Sequence, residues 1–316
     1  MAHATGTRQW PRSFASRLTG RPPGLLDALR MLRRGGFRGS TAGTDRIPVR
    51  PAALPALAPG AASISWIGHA SFLLRTGGVT VLVDPVLSPR VPGAGRRLTP
   101  PGIDPLPPVD VLLISHNHYD HLDAPTVRRL PRDTRVVVPG GLGRWFRRRG
   151  FTAVTELDWW ESVAMGELTV DLVPAHHWSR RGLFDTCATL WGGWVLTTDT
   201  GLRFYHGGDS AYGPFFSRIG ARYPGIDVAM LQVGGYEPRW FTREVHTDPE
   251  EAVAAVSDLG AAAMVPMHWG AFQLSPEPVL EPLHRTRTAW AAGGHDRAQL
   301  WDLAIGESRV LAAPQP

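Results

Sequence analysis

Short apolar runs separated by turn residues dominate the chain from residue 62 onward. Runs of roughly four to eight residues rich in Val, Ile, Leu and aromatic residues, bounded by Gly, Pro or Asp, are typical of β-strands. A chain with this many strands needs more than one layer of sheet to bury its apolar faces. The predicted strands cover residues 63–67, 71–75, 79–83, 109–114, 135–138, 168–173, 190–197, 202–206, 228–233 and 263–266.

Sequence signals for helices lie between the predicted strands. Asp123 and Asp248 each stand before an early proline and begin predicted helices that end at Leu130 and Leu259. Glu251 completes a capping box with Asp248. Further helices are predicted over 142–149 and 277–291. Strand groups broken by helices favour the α/β class, here an αββα sandwich of two mixed sheets packed face to face with helices on the outer faces.

The first sixty residues differ in composition from the rest. They are rich in Pro, Gly, Ala and Arg, which predicts an N-terminal extension over 1–60 and a folded domain over 61–316. One helix is predicted from Gly24 to Arg34, with Leu25, Leu26, Leu29 and Leu32 on one face and arginines beside them. This pattern suits an anionic membrane surface. A helix docked on its own domain and plain disorder are the alternatives.

Charge is distributed unevenly along the chain. The basic residues are all Arg; residues 1–50 carry a net charge of +8 and the remainder −3, which together give the formal +5. Because the body is slightly acidic, no nucleic-acid partner is expected. Cys187 stands alone, so an intrachain disulfide is excluded. With no secretory signal and no long apolar run, we expect a cytoplasmic protein with peripheral contact to the inner membrane face through the extension.

The most informative motif follows the predicted strand 109–114. Four side chains that can bind metals fall within six residues: His116, His118, Asp120 and His121. They follow the C-terminal end of a predicted strand, where loops commonly form binding sites. Imidazoles with a carboxylate suit zinc and similar borderline metals. A single tetrahedral ion takes four ligands. This loop alone offers four, and ligands from distant parts of the chain would add to them, so two ions are predicted. A polar surface loop that merely contains histidines is the alternative.

Distant donors also stand where strands end. The strand 168–173 leads to His176 and His177, the strand 202–206 to Asp209, and the strand 263–266 to His268. Neighbours in an extended segment face opposite sides, so only one of the two adjacent histidines can point at a metal. Asp84, at the end of a further strand, would hydrogen-bond a metal ligand from behind or cap the turn before Pro85.

The order H-x-H-x-D-H, then His, Asp and His, resembles the metallo-β-lactamase fold superfamily over about residues 62–312. The resemblance implies a binuclear metal centre and favours His177 over His176, which becomes a flanking group. A histidine at the third motif position favours zinc over redox-active iron, although Mn and Fe stay open. The implied first site is His116, His118 and His177; the implied second site is Asp120, His121 and His268; Asp209 bridges both.

Longer aromatic motifs narrow the resemblance. The segments 67–71, 156–161, 190–194, 235–241, 246–252 and 268–270 together look like the N-acyl-phosphatidylethanolamine-hydrolysing phospholipase D family and its bacterial homologues. That family implies hydrolysis of a phosphodiester in a phospholipid, with homodimers common. Asp120 and His246 would be catalytic, with His246 contacting the substrate phosphate or donating a proton. Tyr236, Arg239 and Trp240 would bind substrate or pack beside it.

Several alternatives stay open. His246 could be a structural residue before a helix, and departures from the family pattern at 231–235 and Val245 leave the lipid specificity undecided. A sugar-phosphate lactonase of the same fold is the enzyme alternative. A nuclease is disfavoured by the short spacing between His177 and Asp209. A metal-bearing membrane adaptor without turnover is the non-enzyme alternative.

Overall fold

Two β-sheets face each other in the computed structural model, which describes residues 8–36, 39–92 and 95–313. One sheet has seven strands in the order β15-β1-β2-β3-β6-β7-β8, and the other has six in the order β14-β13-β12-β11-β10-β9. A small ribbon, β4-β5, stands apart. The strands are β1 Ala62–Gly68, β2 Ser71–Arg75, β3 Thr80–Val83, β4 Arg90–Val91, β5 Gly95–Arg96, β6 Val111–Leu113, β7 Arg135–Pro139, β8 Val154–Leu157, β9 Ser162–Ala164, β10 Leu168–Val173, β11 Gly193–Thr198, β12 Arg203–His206, β13 Val228–Gln232, β14 Ala263–Met267 and β15 Ser308–Leu311.

Both sheets are mixed. In the seven-stranded sheet β3, β6, β7 and β8 run parallel to one another, and the pairs toward β15 are antiparallel. In the six-stranded sheet β12, β13 and β14 are parallel, and the pairs toward β9 are antiparallel. Parallel strands end at the same edge, so the loops after β3, β6, β12 and β14 are brought to the same rim of the sandwich.

Helices cover the outer faces, as the alternation of side chains requires. In β6, Val111 and Leu113 face the core between the sheets, whereas Leu112 faces the outer layer that includes Phe146 of α3. None of the helices in the described residues combines the length and apolarity needed to cross a bilayer. The helices are α1 Leu25–Arg33, α2 Ala124–Arg128, α3 Gly143–Arg147, α4 Phe215–Arg222, α5 Arg239–Thr242, α6 Pro249–Leu259 and α7 Glu281–Ala292, with 3₁₀ turns at Ala15–Arg17, Thr44–Arg46 and Arg297–Gln299.

Helix α6 begins where its sequence signals predict. The Asp248 carboxylate accepts the N–H of Glu251 at 2.9 Å, and the Glu251 carboxylate accepts the N–H of Asp248 at 3.1 Å. The helix ends at Leu259, and the Gly260 that follows has a φ of 62°, which favours glycine. This reciprocal cap fixes the chain just before Asp248, where His246 lies.

The α/β sandwich predicted from the sequence is confirmed, with local differences. Helix α7 begins at Glu281 rather than at 277, because Pro282 is tolerated in the first turn of a helix but not in its interior. The Glu277 carboxylate accepts the backbone N–H groups of Gly235 and Glu237. Helix α4 was not predicted. Its Gly220 lies against the end of α6, where an added Cβ would come within 2.6 Å of the Leu259 carbonyl oxygen. Glycine therefore serves close helix packing here, against its low helix propensity.

The N-terminal segment packs against the sandwich. Phe14 is buried in the main core, and its N–H donates to the Cys187 carbonyl at 2.7 Å. Met31 of α1 and Ile47 are buried as well, whereas Leu26, Leu29 and Leu32 are exposed. Leu26, Leu29 and Leu32, the part of the leucine face that the structure describes, therefore point away from the domain. The domain boundary at residue 60 stays a prediction.

Candidate metal centre

The predicted donors converge at one rim of the sandwich. The loop after β6 supplies four of them, and the ends of β10, β12 and β14 supply His177, Asp209 and His268. His69, which follows β1, joins the same cluster. Donors that lie up to about two hundred residues apart in the sequence thus meet because strands of both sheets end at this rim.

One group of donors consists of three imidazoles. The Nδ1 atom of His118 lies 2.9 Å from Nε2 of His116 and 3.1 Å from Nε2 of His177. Nδ1 of His177 lies 2.9 Å from the Val245 carbonyl oxygen, to which it donates when it carries the proton. That hydrogen bond leaves Nε2 of His177 free to act as a ligand.

A second group surrounds Asp120. The Oδ2 atom of Asp120 lies 3.5 Å from Nε2 of His268 and 3.8 Å from Nε2 of His121. The same oxygen lies 3.1 Å from Nε2 of His69. The ligand atoms of His69, His121, His268 and Asp120 all lie within 4.8 Å of one another.

Asp209 lies between the two groups. One of its oxygens, Oδ2, lies 3.9 Å from Nε2 of His116 and 3.9 Å from Nε2 of His177. The same oxygen is 3.1 Å from Nε2 of His121, and Oδ1 is 3.3 Å from Nε2 of His268. A carboxylate with one edge toward each group has the position of a bridging ligand.

The electrostatics divide the imidazoles into two kinds. Burial, reinforced by the neighbouring imidazoles, lowers the pKa of His116 well below its ordinary value. Burial lowers the pKa of His118 to about 4, against the pull of the nearby carboxylates. Burial also lowers the pKa of His177 well below its ordinary value. These three rings are therefore neutral, with nitrogen lone pairs available to a cation.

His121 and His268 respond to the carboxylates instead. Burial opposes their charge, but Asp209 and Asp120 outweigh it and raise the pKa of His268 to about 9 and that of His121 well above its ordinary value. Burial would raise the pKa of Asp120, yet His121, His268 and His69 hold it well below its ordinary value. The two carboxylates thus favour positive charge at this place, which a bound metal cation would supply.

The chemistry of the donor atoms fits a metal site. Three atoms at the centre are buried without a hydrogen-bond partner in the described residues: Nε2 of His121, Nε2 of His268 and Oδ1 of Asp209. Each nevertheless lies within 4 Å of another atom that could bind a metal. Buried polar atoms that converge without hydrogen-bond geometry are costly unless a cation satisfies them. Imidazole nitrogen and carboxylate oxygen are the ligands of zinc and related metals.

Asp84 supports the centre from behind. Its carboxylate is completely buried and lies 2.8 Å from Nδ1 of His121. It also accepts the N–H of Ser115 at 2.7 Å and the Ser115 hydroxyl. Asp84 thereby joins the end of β3 to the loop after β6 and orients His121, the arrangement common behind metal-bound histidines. The φ of Asp84 is 42°, a strained value for a residue with a side chain.

The two adjacent histidines separate as extended neighbours should. His177 points into the cluster, whereas the ring of His176 lies 4.5 Å from the ring of Phe215, centroid to centroid. The His176 N–H donates to the Ser210 hydroxyl at 2.8 Å. The assignment of the metal ligands themselves, including His177, stays a prediction.

The predicted substrate-contact residues have internal partners. The Tyr236 hydroxyl donates to Glu281 at 2.7 Å, and its ring is fully buried. The Arg239 guanidinium donates to both oxygens of Glu251 and to the His246 carbonyl oxygen. Trp240 is partly exposed beside α1, where Arg30 lies 4.6 Å above its ring. Their roles toward substrate stay predictions.

His69 is the site residue that the sequence reasoning missed. Burial lowers its pKa to about 3, so its ring is neutral and donates Nε2–H to the Asp120 carboxylate. Its φ is 58°, directly after Gly68 at the end of β1. The available signal was a lone histidine at a strand end, in a segment already noted among the family motifs.

Some of the side chains at the centre are partly open to solvent, whereas others are closed off from it. The side chains of Asp120 and His246 are 16% and 18% exposed to solvent, whereas those of Asp209 and His268 are 2% exposed. Nδ1 of His246 lies 2.7 Å from the Gly235 carbonyl oxygen, which leaves its Nε2 3.6 Å from Asp209. Asp120 and His246, together with the half-buried His118, therefore form the open side of the centre, the part that solvent reaches.

The comparison with known families agrees with this geometry. A family model described as a beta-lactamase superfamily domain matches residues 79–269. The chain belongs to the metallo-β-lactamase superfamily, and its cluster of histidines and aspartates is that of a metal-dependent hydrolase.

Individual relatives are more specific. The chain is 36% identical over 238 residues to N-acyl-phosphatidylethanolamine-hydrolyzing phospholipase D 1 of Caenorhabditis elegans, across 69% of this chain and 67% of that protein. It is 30% identical over 215 residues to a UPF0173 metal-dependent hydrolase of Koribacter versatilis, across 66% of this chain and 84% of that protein. The predicted relationship to both the superfamily and these phospholipases is thus confirmed.

A solved structure supports the fold. The isothiocyanate hydrolase from Delia radicum gut bacteria superposes with a TM-score of 0.64 and 19% identity, covering 78% of this chain and 98% of that one. At this identity the likeness concerns the architecture alone.

Proposed function

We propose that this chain is a zinc-dependent phosphodiesterase of phospholipase D type that hydrolyses an N-acyl-phosphatidylethanolamine-like phospholipid. The observation that carries the proposal is the double donor set, in which Asp209 lies between two groups of imidazoles. The relationship to N-acyl-phosphatidylethanolamine-hydrolysing phospholipases supports the choice of substrate class.

The metal ligands would divide between two ions. When bound, a pair of zinc ions lowers the pKa of a shared water and neutralises charge that develops on the attacked phosphoryl group. His69 would hold the carboxylate of Asp120 in place, and Asp84 would hold His121. The proposed first set is His116, His118 and His177; the second is Asp120, His121 and His268; Asp209 is shared.

His246 would move the proton. Burial lowers its pKa, and its Nδ1–H donates to the Gly235 carbonyl, so in the neutral ring Nε2 carries a lone pair. That atom lies 3.6 Å from Oδ2 of Asp209, a position from which it would accept the proton of the attacking water. The imidazolium formed in this way would then protonate the departing alcohol oxygen.

Helix α1 supports contact with a membrane. Its Leu26 and Leu32 are 77% and 66% exposed, while Met31 on the opposite face is buried. Arg30 and Arg34 lie over the ring of Trp240, which ties the helix to α5 beside the centre. Apolar side chains directed outward beside arginines suit an anionic lipid surface better than a buried helix face.

Paired histidine variants test the proposed activity. His177→Ala should abolish hydrolysis of N-acyl-phosphatidylethanolamine and of bis-p-nitrophenyl phosphate and should lower the bound zinc. His176→Ala is the matched control, because the adjacent ring lies outside the cluster. Both activities and the metal content are measured on the same preparations.

The same screen contains the results that would contradict the proposal. Hydrolysis of lactones without hydrolysis of any diester would favour the sugar-phosphate lactonase alternative. Bound zinc with no turnover of diesters or lactones would favour the membrane adaptor. Equal loss of activity in His176→Ala would remove the argument from the cluster geometry.

A further inference from the structure

We propose that the loop of residues 178–187, beside the metal centre, is a membrane-inserting element whose tip, Leu183 and Phe184, enters an anionic bilayer. The proposal rests on the proposed function only in that a lipid substrate would bring the open side of the centre to a bilayer. It concerns a second element, separate from helix α1 in the chain.

The tip is unusually exposed for its chemistry. Phe184 is 99% exposed and Leu183 is 77% exposed, although they are adjacent large apolar residues. Single exposed apolar side chains are common on protein surfaces, but adjacent ones at a projecting tip present a continuous apolar surface to solvent. Most of the surface of both side chains is therefore free to transfer into lipid.

The base of the loop is fixed, so its tip is held outward. The Cys187 N–H donates to the Ser179 carbonyl at 2.7 Å, which closes the loop. The Asp185 carboxylate accepts the N–H groups of Arg181 and Gly182 at 3.0 Å and 2.7 Å. A preformed loop loses little conformational freedom on binding. These bonds also direct the one acidic group of the loop toward its own backbone.

The loop is joined to the metal-binding segment. The Arg181 guanidinium donates to the carbonyl oxygens of Asn117 and Leu122, at 3.1 Å and 2.7 Å. The Tyr119 hydroxyl donates to the Arg181 carbonyl at 2.9 Å. At the start of the loop, the ring of Trp178 lies 4.9 Å from the ring of His118, centroid to centroid. The tip is thus anchored at the open side of the centre.

Helix α1 is linked to the same centre through α5. The rings of His177 and His246 are 5.4 Å apart, and the loop follows His177 directly. Arg239 of α5 donates to the His246 carbonyl oxygen, and Arg30 of α1 lies over the ring of Trp240. The loop and α1 are thus both linked to the metal centre, the loop through His118 and α1 through α5 and His246.

An anionic bilayer fits these features better than a second protein does. The flanking cations are Arg180 in the loop and Arg30, Arg33 and Arg34 at α1, and each arginine near a membrane surface gains attraction to anionic head groups. A bilayer also accepts two apolar elements without requiring a complementary surface for each.

Vesicle binding tests the proposal without turnover. The full chain is sedimented with vesicles made from equal parts of phosphatidylcholine and phosphatidylglycerol. The double variant L183S/F184S should bind about tenfold more weakly or worse, since two large apolar side chains would no longer leave water. Val310→Ser is the matched control, because Val310 is 47% exposed on the edge strand β15 and should leave binding unchanged.

A label at the tip gives an independent readout. Phe184→Cys is modified with a fluorophore whose emission depends on solvent polarity, while the native Cys187 is buried. Adding the vesicles should shift the emission to shorter wavelengths.

Three results would overturn the proposal: unchanged vesicle binding by L183S/F184S, no emission shift, or a dimer of the native chain that this variant dissociates. Vesicle binding through the tip in a chain that hydrolyses no phospholipid would refute the proposed function and leave this inference standing.

Discussion

Replacing Asp84 by Asn tests whether the buried carboxylate behind His121 controls metal binding. Nε2 of His121 can bind a metal only if its ring proton resides on Nδ1, and Asp84 accepts that proton at 2.8 Å. A carboxylate only accepts hydrogen bonds, whereas the amide of Asn can turn its NH₂ toward Nδ1. The substitution therefore favours the ring tautomer with the proton on Nε2, the atom proposed to bind the ion.

The size of the effect follows from the bonds that change. Asp84 makes charge-assisted bonds to Nδ1 of His121 and to the N–H and hydroxyl of Ser115. The amide oxygen of Asn can keep the bond to the Ser115 N–H, but the amide cannot accept the Nδ1–H of His121 with its NH₂ group, so that charge-assisted bond is replaced by one in which the NH₂ donates to Nδ1. Loss of such an outer partner weakens metal binding about 10- to 100-fold. We therefore expect a loss of ~1.4–2.8 kcal/mol in the affinity for the ion at His121.

The assay is a zinc titration against a competing chelator, with metal content measured on the same samples. Asp123→Asn is the matched control, since Asp123 is also a buried carboxylate near the metal loop but binds Ser88 and Thr126 rather than a metal ligand. We expect Asp123→Asn to retain zinc affinity even if it unfolds at a lower temperature. Equal zinc affinity in Asp84→Asn and the native chain would refute the tautomer argument.

Three further predictions follow from the contacts around the centre. Glu277→Gln should slow turnover roughly tenfold and keep its full metal content, because the Glu277 carboxylate holds Gly235, and the Gly235 carbonyl orients His246. Loss of metal in this variant would contradict the reasoning. Phe14→Ala should lower the free energy of unfolding by about 3–5 kcal/mol, measured by denaturant titration, and a negligible change would show that residues before 60 do not support the core. Removing the metal with a chelator should lower the melting temperature of the native chain, since zinc at 100 times its Kd adds about 2.7 kcal/mol to the free energy of unfolding. Calorimetry with and without chelator measures this difference, and an unchanged melting temperature would contradict the prediction.

Local patterns in the sequence were sufficient for most of the strands and for the donor loop. The run ending at Ile114 alternates between the two faces of its sheet, and the donors after it lie where parallel strands end. The choice between His176 and His177 came from the family resemblance, and the structure places only His177 in the cluster. Period-two patterns and strand-end chemistry are properties of a few neighbouring residues, which explains why they can be read without a fold.

Features that depend on distant partners could not be predicted. His69 is a single histidine after a glycine, and its bond to Asp120 exists only because β1 and β6 end at the same rim. Tyr236 is in a motif that indicated a substrate contact, yet its hydroxyl meets Glu281 on α7, forty-five residues away. Helix α4 contains Gly220 for the sake of packing on α6, so helix propensity alone argues against it.

The origin of the donors links the metal centre to the stability of the sandwich. His116, His118, Asp120 and His121 follow β6 of the seven-stranded sheet, whereas His177, Asp209 and His268 follow strands of the six-stranded sheet. Bound ions would therefore join the two sheets at one rim, where the two carboxylates carry negative charge that burial makes expensive. A shift of one sheet against the other would separate the donors, so tight packing between the sheets and tight metal binding require the same geometry. For this reason we expect the metal and the core to stabilise each other rather than to act as independent features of the fold.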